Sequence, residues 1–119
     1  NDTQEDMMSL FDQINTAGNS NEDATKEKHL PTISVSKTDT GRYLVHIDVG
    51  QGKHPNEMDH WIQWAELRVN GLFIGRAEFS AKIMEPVADF VVNIESPCQI
   101  SALIRCNKHG LWESSTSIG

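Results

Sequence analysis

The run Tyr43-Leu44-Val45-His46-Ile47-Asp48-Val49 most constrains the fold. It puts Tyr43, Val45, Ile47 and Val49 on one side of an extended chain and Leu44, His46 and Asp48 on the other. A period of two residues is the signature of a strand with one buried face. The same texture recurs along the chain. Ile33 and Val35 alternate with Thr32, Ser34 and Ser36, and the cluster Thr38-Asp39-Thr40-Gly41 marks a turn into the next run. Trp61 to Val69 reads as a further strand and closes through Asn70-Gly71, a strong hairpin signal, into Leu72 to Phe79. Strands over Val87 to Ile94 and Ile100 to Arg105 follow, and a last segment runs from Leu111 towards the C-terminus. About seven short strands with turn signals between them, and no helical period, imply an antiparallel β-sandwich of immunoglobulin-like type.

The start of the chain has a different texture. Met7, Met8, Leu10, Phe11 and Ile14 recur at helical spacing behind a Thr3/Asp6 capping pattern, which predicts a short amphipathic helix over residues 2 to 15. Residues 16 to 26 hold little to bury and read as a linker. The expected organisation is an extension, residues 1–26, and a main domain, residues 27–119, within one chain of 119 residues. A net charge of -7 argues against nucleic acid as a partner. No apolar run approaches the length of a bilayer span, so no membrane association is expected. The expected compartment is the cytoplasm; an exported form stays open because the chain begins with Asn.

Near the end, Cys106-Asn107-Lys108-His109-Gly110-Leu111-Trp112 sets a thiol and an imidazole three residues apart. Such a pair can bite one metal ion, although it also occurs in ordinary capped turns. Of five histidines, His29, His54 and His60 also lie in contexts that suit ligands. His46 is most simply a strand residue on the less apolar face. One cysteine and four histidines exceed what a closed tetrahedral zinc site uses, which suggests iron with an open coordination position. Cys98 and Cys106 are close enough to bridge in an oxidising compartment; if Cys106 is a thiolate ligand, Cys98 is a free buried thiol. Trp61, Trp64 and Trp112 all lie near proposed ligands in sequence, where they could shield a metal, and at least one is expected to be core instead.

Three motifs together carry a family resemblance: Glu27-Lys28-His29-Leu30-Pro31, His54-Pro55 through His60 ahead of Trp61-Ile62-Gln63-Trp64, and Cys106-Asn107-Lys108-His109-Gly110-Leu111-Trp112. Over roughly residues 27 to 112 the chain resembles the superoxide reductases, namely the neelaredoxins and the iron centre II domain of desulfoferrodoxins. The resemblance implies a β-sandwich holding one iron (Fe2+/Fe3+) per chain, with His29, His54, His60 and His109 as equatorial ligands and Cys106 as the axial one. Glu27 and Lys28 match the family's mobile loop beside the open position. No cysteine precedes residue 27, so the one-iron, neelaredoxin-like form is the expected one. In one departure, the family usually has Met after the His-Pro dipeptide, and this chain has Asn56.

The implied activity is superoxide reductase, an oxidoreductase that detoxifies superoxide by one-electron reduction to hydrogen peroxide. An axial thiolate pushes electron density onto the metal, by the logic that tunes haem iron. By the same resemblance Glu27 occupies the sixth position in the oxidised state until an external electron donor, such as rubredoxin, re-reduces the metal. Lys28, Lys53 and Lys108 each directly precede a proposed ligand and together would form a positive funnel for an anion on an acidic protein. A homo-oligomer, dimer or tetramer, is expected. The alternatives are a non-catalytic β-sandwich binding module with a structural zinc, and dismutase-like turnover at the same metal.

Overall fold

The computed structural model describes residues 13–19, 26 and 28–119. Its strands are β1 (Ile14–Asn15), β2 (Pro31–Lys37), β3 (Tyr43–Val49), β4 (Ile62–Val69), β5 (Leu72–Glu78), β6 (Val87–Val92), β7 (Cys98–Cys106) and β8 (Gly110–Ile118). They form two sheets, one in the order β1-β8-β7-β4-β5 and the other in the order β2-β3-β6. All pairs are antiparallel except β1 with β8. The seven expected strands are present, and the architecture is the all-β sandwich that their alternation implies.

Alternation decides which side of each strand is inside. Val45, Ile47 and Val49 of β3, Ala65 and Leu67 of β4, and Ile100, Ala102 and Ile104 of β7 are completely buried. They form one core with Trp112 and Ile118 of β8. Facing sheets that interdigitate in this way supply the main driving force of the fold. Between β4 and β5, Asn70 and Gly71 have φ of 49° and 82°, the two left-handed residues that a tight hairpin turn matched to strand twist requires.

The N-terminal expectation needs a correction. Ile14 and Asn15 are not the end of a helix but a strand that adds in parallel to the outer edge of β8, opposite Leu111 and Trp112. An edge strand offers unpaired backbone groups, and satisfying them outweighs a weak local helical preference. The Asn15 amide donates to the Leu111 carbonyl at 2.9 Å. Asn19 turns the chain back, accepting from the Thr16 N–H at 2.8 Å and donating to the Ile14 carbonyl at 3.0 Å. Residues 2–12 of the expected helix and 20–25 of the expected linker lie outside the described residues. Lys26, the last residue of the expected linker, opens a helical turn that the Leu30 N–H closes onto its carbonyl at 2.9 Å.

The other edge of the large sheet, β5, exposes Leu72, Phe73 and Ile74, and the edge strand β6 of the small sheet exposes Val87 and Val91. Gly75 of β5 lies against the Phe90 ring of β6, so these two edges share one side of the sandwich.

On the outer face of β4, Glu66 is only 2% exposed. Its carboxylate accepts from Arg68 Nε at 2.6 Å and from Arg76 Nη2 at 2.7 Å. The Arg76 guanidinium in turn lies 4.0 Å over the Trp64 ring. Burial alone would raise the Glu66 pKa, but hydrogen bonds and charge from the two arginines outweigh it and hold the carboxyl below its ordinary value. A depressed folded-state pKa stabilises the fold above the ordinary value of 4.5, and that stabilisation is lost as pH falls through the folded value. Glu66→Gln should therefore destabilise the protein at pH 7 by about 2 kcal/mol, below the range for a fully buried pair because the arginines remain partly exposed. Urea midpoints of the variant and the parent, measured from pH 7 down to pH 3, should converge at the acid end; parallel curves would show that the carboxylate does not act through its charge.

Candidate metal centre

The register of the strands gathers the candidate residues at one end of the sandwich. Pro31 at the start of β2 lies opposite Val49 at the end of β3, and Ile62 at the start of β4 lies opposite Cys106 at the end of β7. Cys106 also faces Gly110, the first residue of β8. The segments before β2 and β4 and after β3 and β7 therefore converge. His29 sits on the helical turn ahead of β2. His54 follows the 3-10 turn Gly50–Gly52 that ends β3. His60 closes a tight turn in which Glu57 and His60 exchange backbone hydrogen bonds at 2.9 and 3.1 Å. Cys106 ends β7, and His109 lies in the β7–β8 turn.

Gly50 makes this convergence possible. Its φ is 72°, and a Cβ there would collide with the Lys28 carbonyl and stand 3.2 Å from His54 Cβ. Only a residue without a side chain lets the end of β3 pass this close to the turn that carries His29.

The ligand atoms of His29, His54, His60 and Cys106 all lie within 4.8 Å of one another. The four imidazoles form a closed ring: neighbouring centroids are 4.7 Å apart for His29–His54, 4.9 Å for His54–His60, 5.2 Å for His60–His109 and 4.8 Å for His109–His29. The Cys106 sulfur is 3.3 Å from His54 Nε2 and 3.7 Å from His109 Nδ1. Cys106 is completely buried and His29 and His54 nearly so, whereas His60 is half-buried and His109 exposed. The pocket is thus closed on the protein side and open on the side of His60 and His109.

Residues 21–115 match the family model described as Desulfoferrodoxin. The chain belongs to the desulfoferrodoxin family. It is 36% identical to a superoxide reductase of Thermococcus kodakarensis over 77% of this chain and 88% of that one. A superoxide reductase of Pyrococcus horikoshii is 35% identical over the same shares. Among solved structures, the superoxide reductase (neelaredoxin) of Ignicoccus hospitalis superposes with a TM-score of 0.78 at 30% identity, covering 93% of this chain and 98% of that chain.

Electrostatics in this family member keep the nitrogens available. Burial, then the neighbouring His29, pushes the His54 pKa down to about 4 against the opposing pull of the Pro55 carbonyl, so the ring is neutral at pH 7. Its Nδ1–H donates to that carbonyl at 2.5 Å, which leaves Nε2 as the bare nitrogen facing Cys106. The His60 pKa is also lowered, by burial first, then by His109 and the charge of Lys108, with a smaller part from Lys28. Burial raises the Cys106 pKa, opposed by the N–H groups of Lys108 and His109 that point at the sulfur. A cation placed among these groups would reverse that balance and deprotonate the thiol.

Lys28, Lys53 and Lys108 are all exposed. Lys28 and Lys108 are near enough to act on His60. Glu27 lies outside the described residues. Trp112 belongs to the site: its ring stacks on His29 at 4.9 Å, and its Nε1–H donates to the His109 carbonyl at 3.1 Å. Trp61 borders it, donating to the Phe79 carbonyl at 3.1 Å, whereas Trp64 stands on the outer face under Arg76. His46 lies apart, paired with Asp89 at 2.6 Å. Cys98 is a free buried thiol.

The Cys106–Trp112 motif includes Asn107, but the sequence alone assigns it no role. Asn107, between Cys106 and His109, accepts from the Trp61 N–H at 2.9 Å and donates to the Asp59 carbonyl at 2.9 Å, so it clamps the β7–β8 turn to the segment that carries His60. No sequence signal marks a bond between residues so far apart in the chain. A second consequence concerns Gly50: Gly50→Ala should lower stability by roughly 2 kcal/mol or more, because the obstructing atom is backbone. It should also weaken zinc binding to metal-free protein. Thermal denaturation and a competitive chelator titration measure both, and an unchanged zinc affinity would show that the close approach does not set the position of His29.

Proposed function

We propose that this chain is a superoxide reductase, reducing superoxide to hydrogen peroxide at a single iron bound by His29, His54, His60, His109 and Cys106. The observation that carries the reading is a ring of four imidazoles beside one buried sulfur: the ligand atoms of His29, His54, His60 and Cys106 lie within 4.8 Å of one another, and His109, with Nδ1 3.7 Å from that sulfur, stands beside them as a fifth donor where a structural zinc takes four. The donor set fits a metal on a second count: His60 Nε2 is buried and has no hydrogen-bond partner, a condition that proteins rarely leave unanswered. Iron held by these residues would supply a reversible one-electron couple and a cation to which a small anion could bind.

The protein's own groups do the rest. The Pro55 carbonyl fixes the tautomer of His54 and so presents Nε2 inward. The N–H groups of Lys108 and His109 support negative charge on the Cys106 sulfur, and the surrounding core keeps water from it. Lys28 and Lys108, exposed beside His60, draw an anion towards the open side of the pocket despite a net charge of -7. Solvent at the exposed His109 side supplies the two protons that peroxide requires. By the family resemblance, Glu27 would be a further carboxylate donor to the metal in the oxidised protein.

An external donor such as rubredoxin, a cytoplasmic location and assembly as a dimer or tetramer belong to the same proposal. The exposed apolar edges of β5 and β6 support assembly. No described helix is long and apolar enough to cross a membrane.

Metal analysis with visible spectra before and after mild oxidation tests the assignment. About one iron per chain and a colour that develops on oxidation are expected; zinc with no colour in either state, in protein made with iron supplied, would replace the reductase reading with a structural module. Cys106→Ser should abolish the oxidised colour and most superoxide consumption, and retained colour would remove Cys106 from the ligand set. Glu27→Ala should react with superoxide at a near-normal rate but show a changed oxidised spectrum; an unchanged spectrum would release Glu27 from its role.

A further inference from the structure

The loop between His54 and His60 is fastened through a residue that is not itself a candidate ligand. Asn56 donates through Nδ2 to the Met84 carbonyl at 3.0 Å and accepts at Oδ1 from the Lys82 N–H at 2.8 Å. Both partners lie in the turn that links β5 to β6. That turn is held at its two ends. The Phe79 N–H bonds to the carbonyl of Gln63 in β4 at 2.9 Å, and the Pro86 carbonyl accepts from the Val49 N–H at 3.0 Å at the end of β3. Within it, the Met84 N–H bonds to the Ser80 carbonyl at 3.2 Å, and Lys82 takes a left-handed φ of 69°. Asn56 therefore grips a platform that is already tied to both sheets.

What Asn56 fixes lies directly on either side of it. The preceding residue, Pro55, owns the carbonyl that accepts from His54 Nδ1–H. The following residue, Glu57, begins the backbone-bonded turn that presents His60. Holding residue 56 in place thus holds the group that orients one imidazole and the turn that delivers the next.

We propose that Asn56 is a positioning residue for the metal site, fixing the tautomer of His54 and the placement of His60 through its two hydrogen bonds to the β5–β6 turn. This rests on the metal-site reading above. The effect acts through ligand orientation, where loss of a supporting hydrogen bond commonly weakens metal binding by about tenfold or more.

The test uses the full chain loaded with Co(II). Release to excess chelator is followed by the thiolate-to-cobalt absorption, and the His54 tautomer is read by 15N shifts in metal-free protein. Asn56→Ala should release cobalt about tenfold faster and show a mixed His54 tautomer in place of a single Nδ1–H form. Asn56→Met, which keeps side-chain bulk without either bond, is measured in parallel so that a folding defect in the alanine variant leaves the test standing. Release at the parental rate with a single tautomer in a folded variant would overturn the inference while the cobalt site itself stood. A parental chain that took up no cobalt through its thiolate would overturn the metal-site reading and the inference with it.

Discussion

Cross-strand register at one end of the sandwich is the constraint on which the rest of the molecule depends. Cys106 faces Ile62 on one side and Gly110 on the other, and Pro31 faces Val49 across the small sheet. Slipping any of these pairings by one residue would turn a core strand inside out, because side chains alternate between faces. The buried Val45, Ile47, Leu67, Ile100 and Ile104 therefore fix more than stability. They fix which loop ends meet, and the loop ends carry the histidines.

Much of this was legible in the sequence because it is local. Alternation located β3 to the residue, and Asn70-Gly71 located the β4–β5 turn, since both depend only on neighbours along the chain. The strands at both ends of the core ran longer than their alternation suggested. β7 begins at Cys98 and not Ile100, because ladder bonds to β8 continue past the apolar stretch. The candidate ligands were legible because imidazole and thiol are rare and chemically distinct. The rest is long-range. The parallel pairing of Ile14–Asn15 with β8 answers an edge created by residues almost a hundred positions later. The burial of Glu66 needs Arg68 and Arg76 from either side of a hairpin, and a carboxylate in an otherwise alternating strand gives no warning of it. Asn56 stood out in the sequence only as a departure from the family pattern and Asn107 only as a motif position, yet each joins two segments by a pair of hydrogen bonds. Nothing in the residue type distinguishes such a clamp from a solvated side chain.

Charge and burial are divided so that the centre is not a cluster of like charges. His54 is neutral because it is buried, and the thiol is held protonated by the same desolvation. The positive charges stand outside, on Lys28 and Lys108, where water screens them from one another and where a small anion meets them first. This arrangement also explains how a chain of net charge -7 can present an attractive approach to an anion at one end.

The candidate ligands come from both layers of the fold. His29 and His54 flank the strands of the small sheet, whereas His60, Cys106 and His109 flank those of the large one. An ion held by all of them would rivet the two layers together at their open end, cross-linking positions from 29 to 109 as a covalent bridge would in an oxidising compartment. Loading then becomes a test of completed folding. A chain whose layers have parted would offer only part of the candidate ligand set in either half and would hold such an ion weakly.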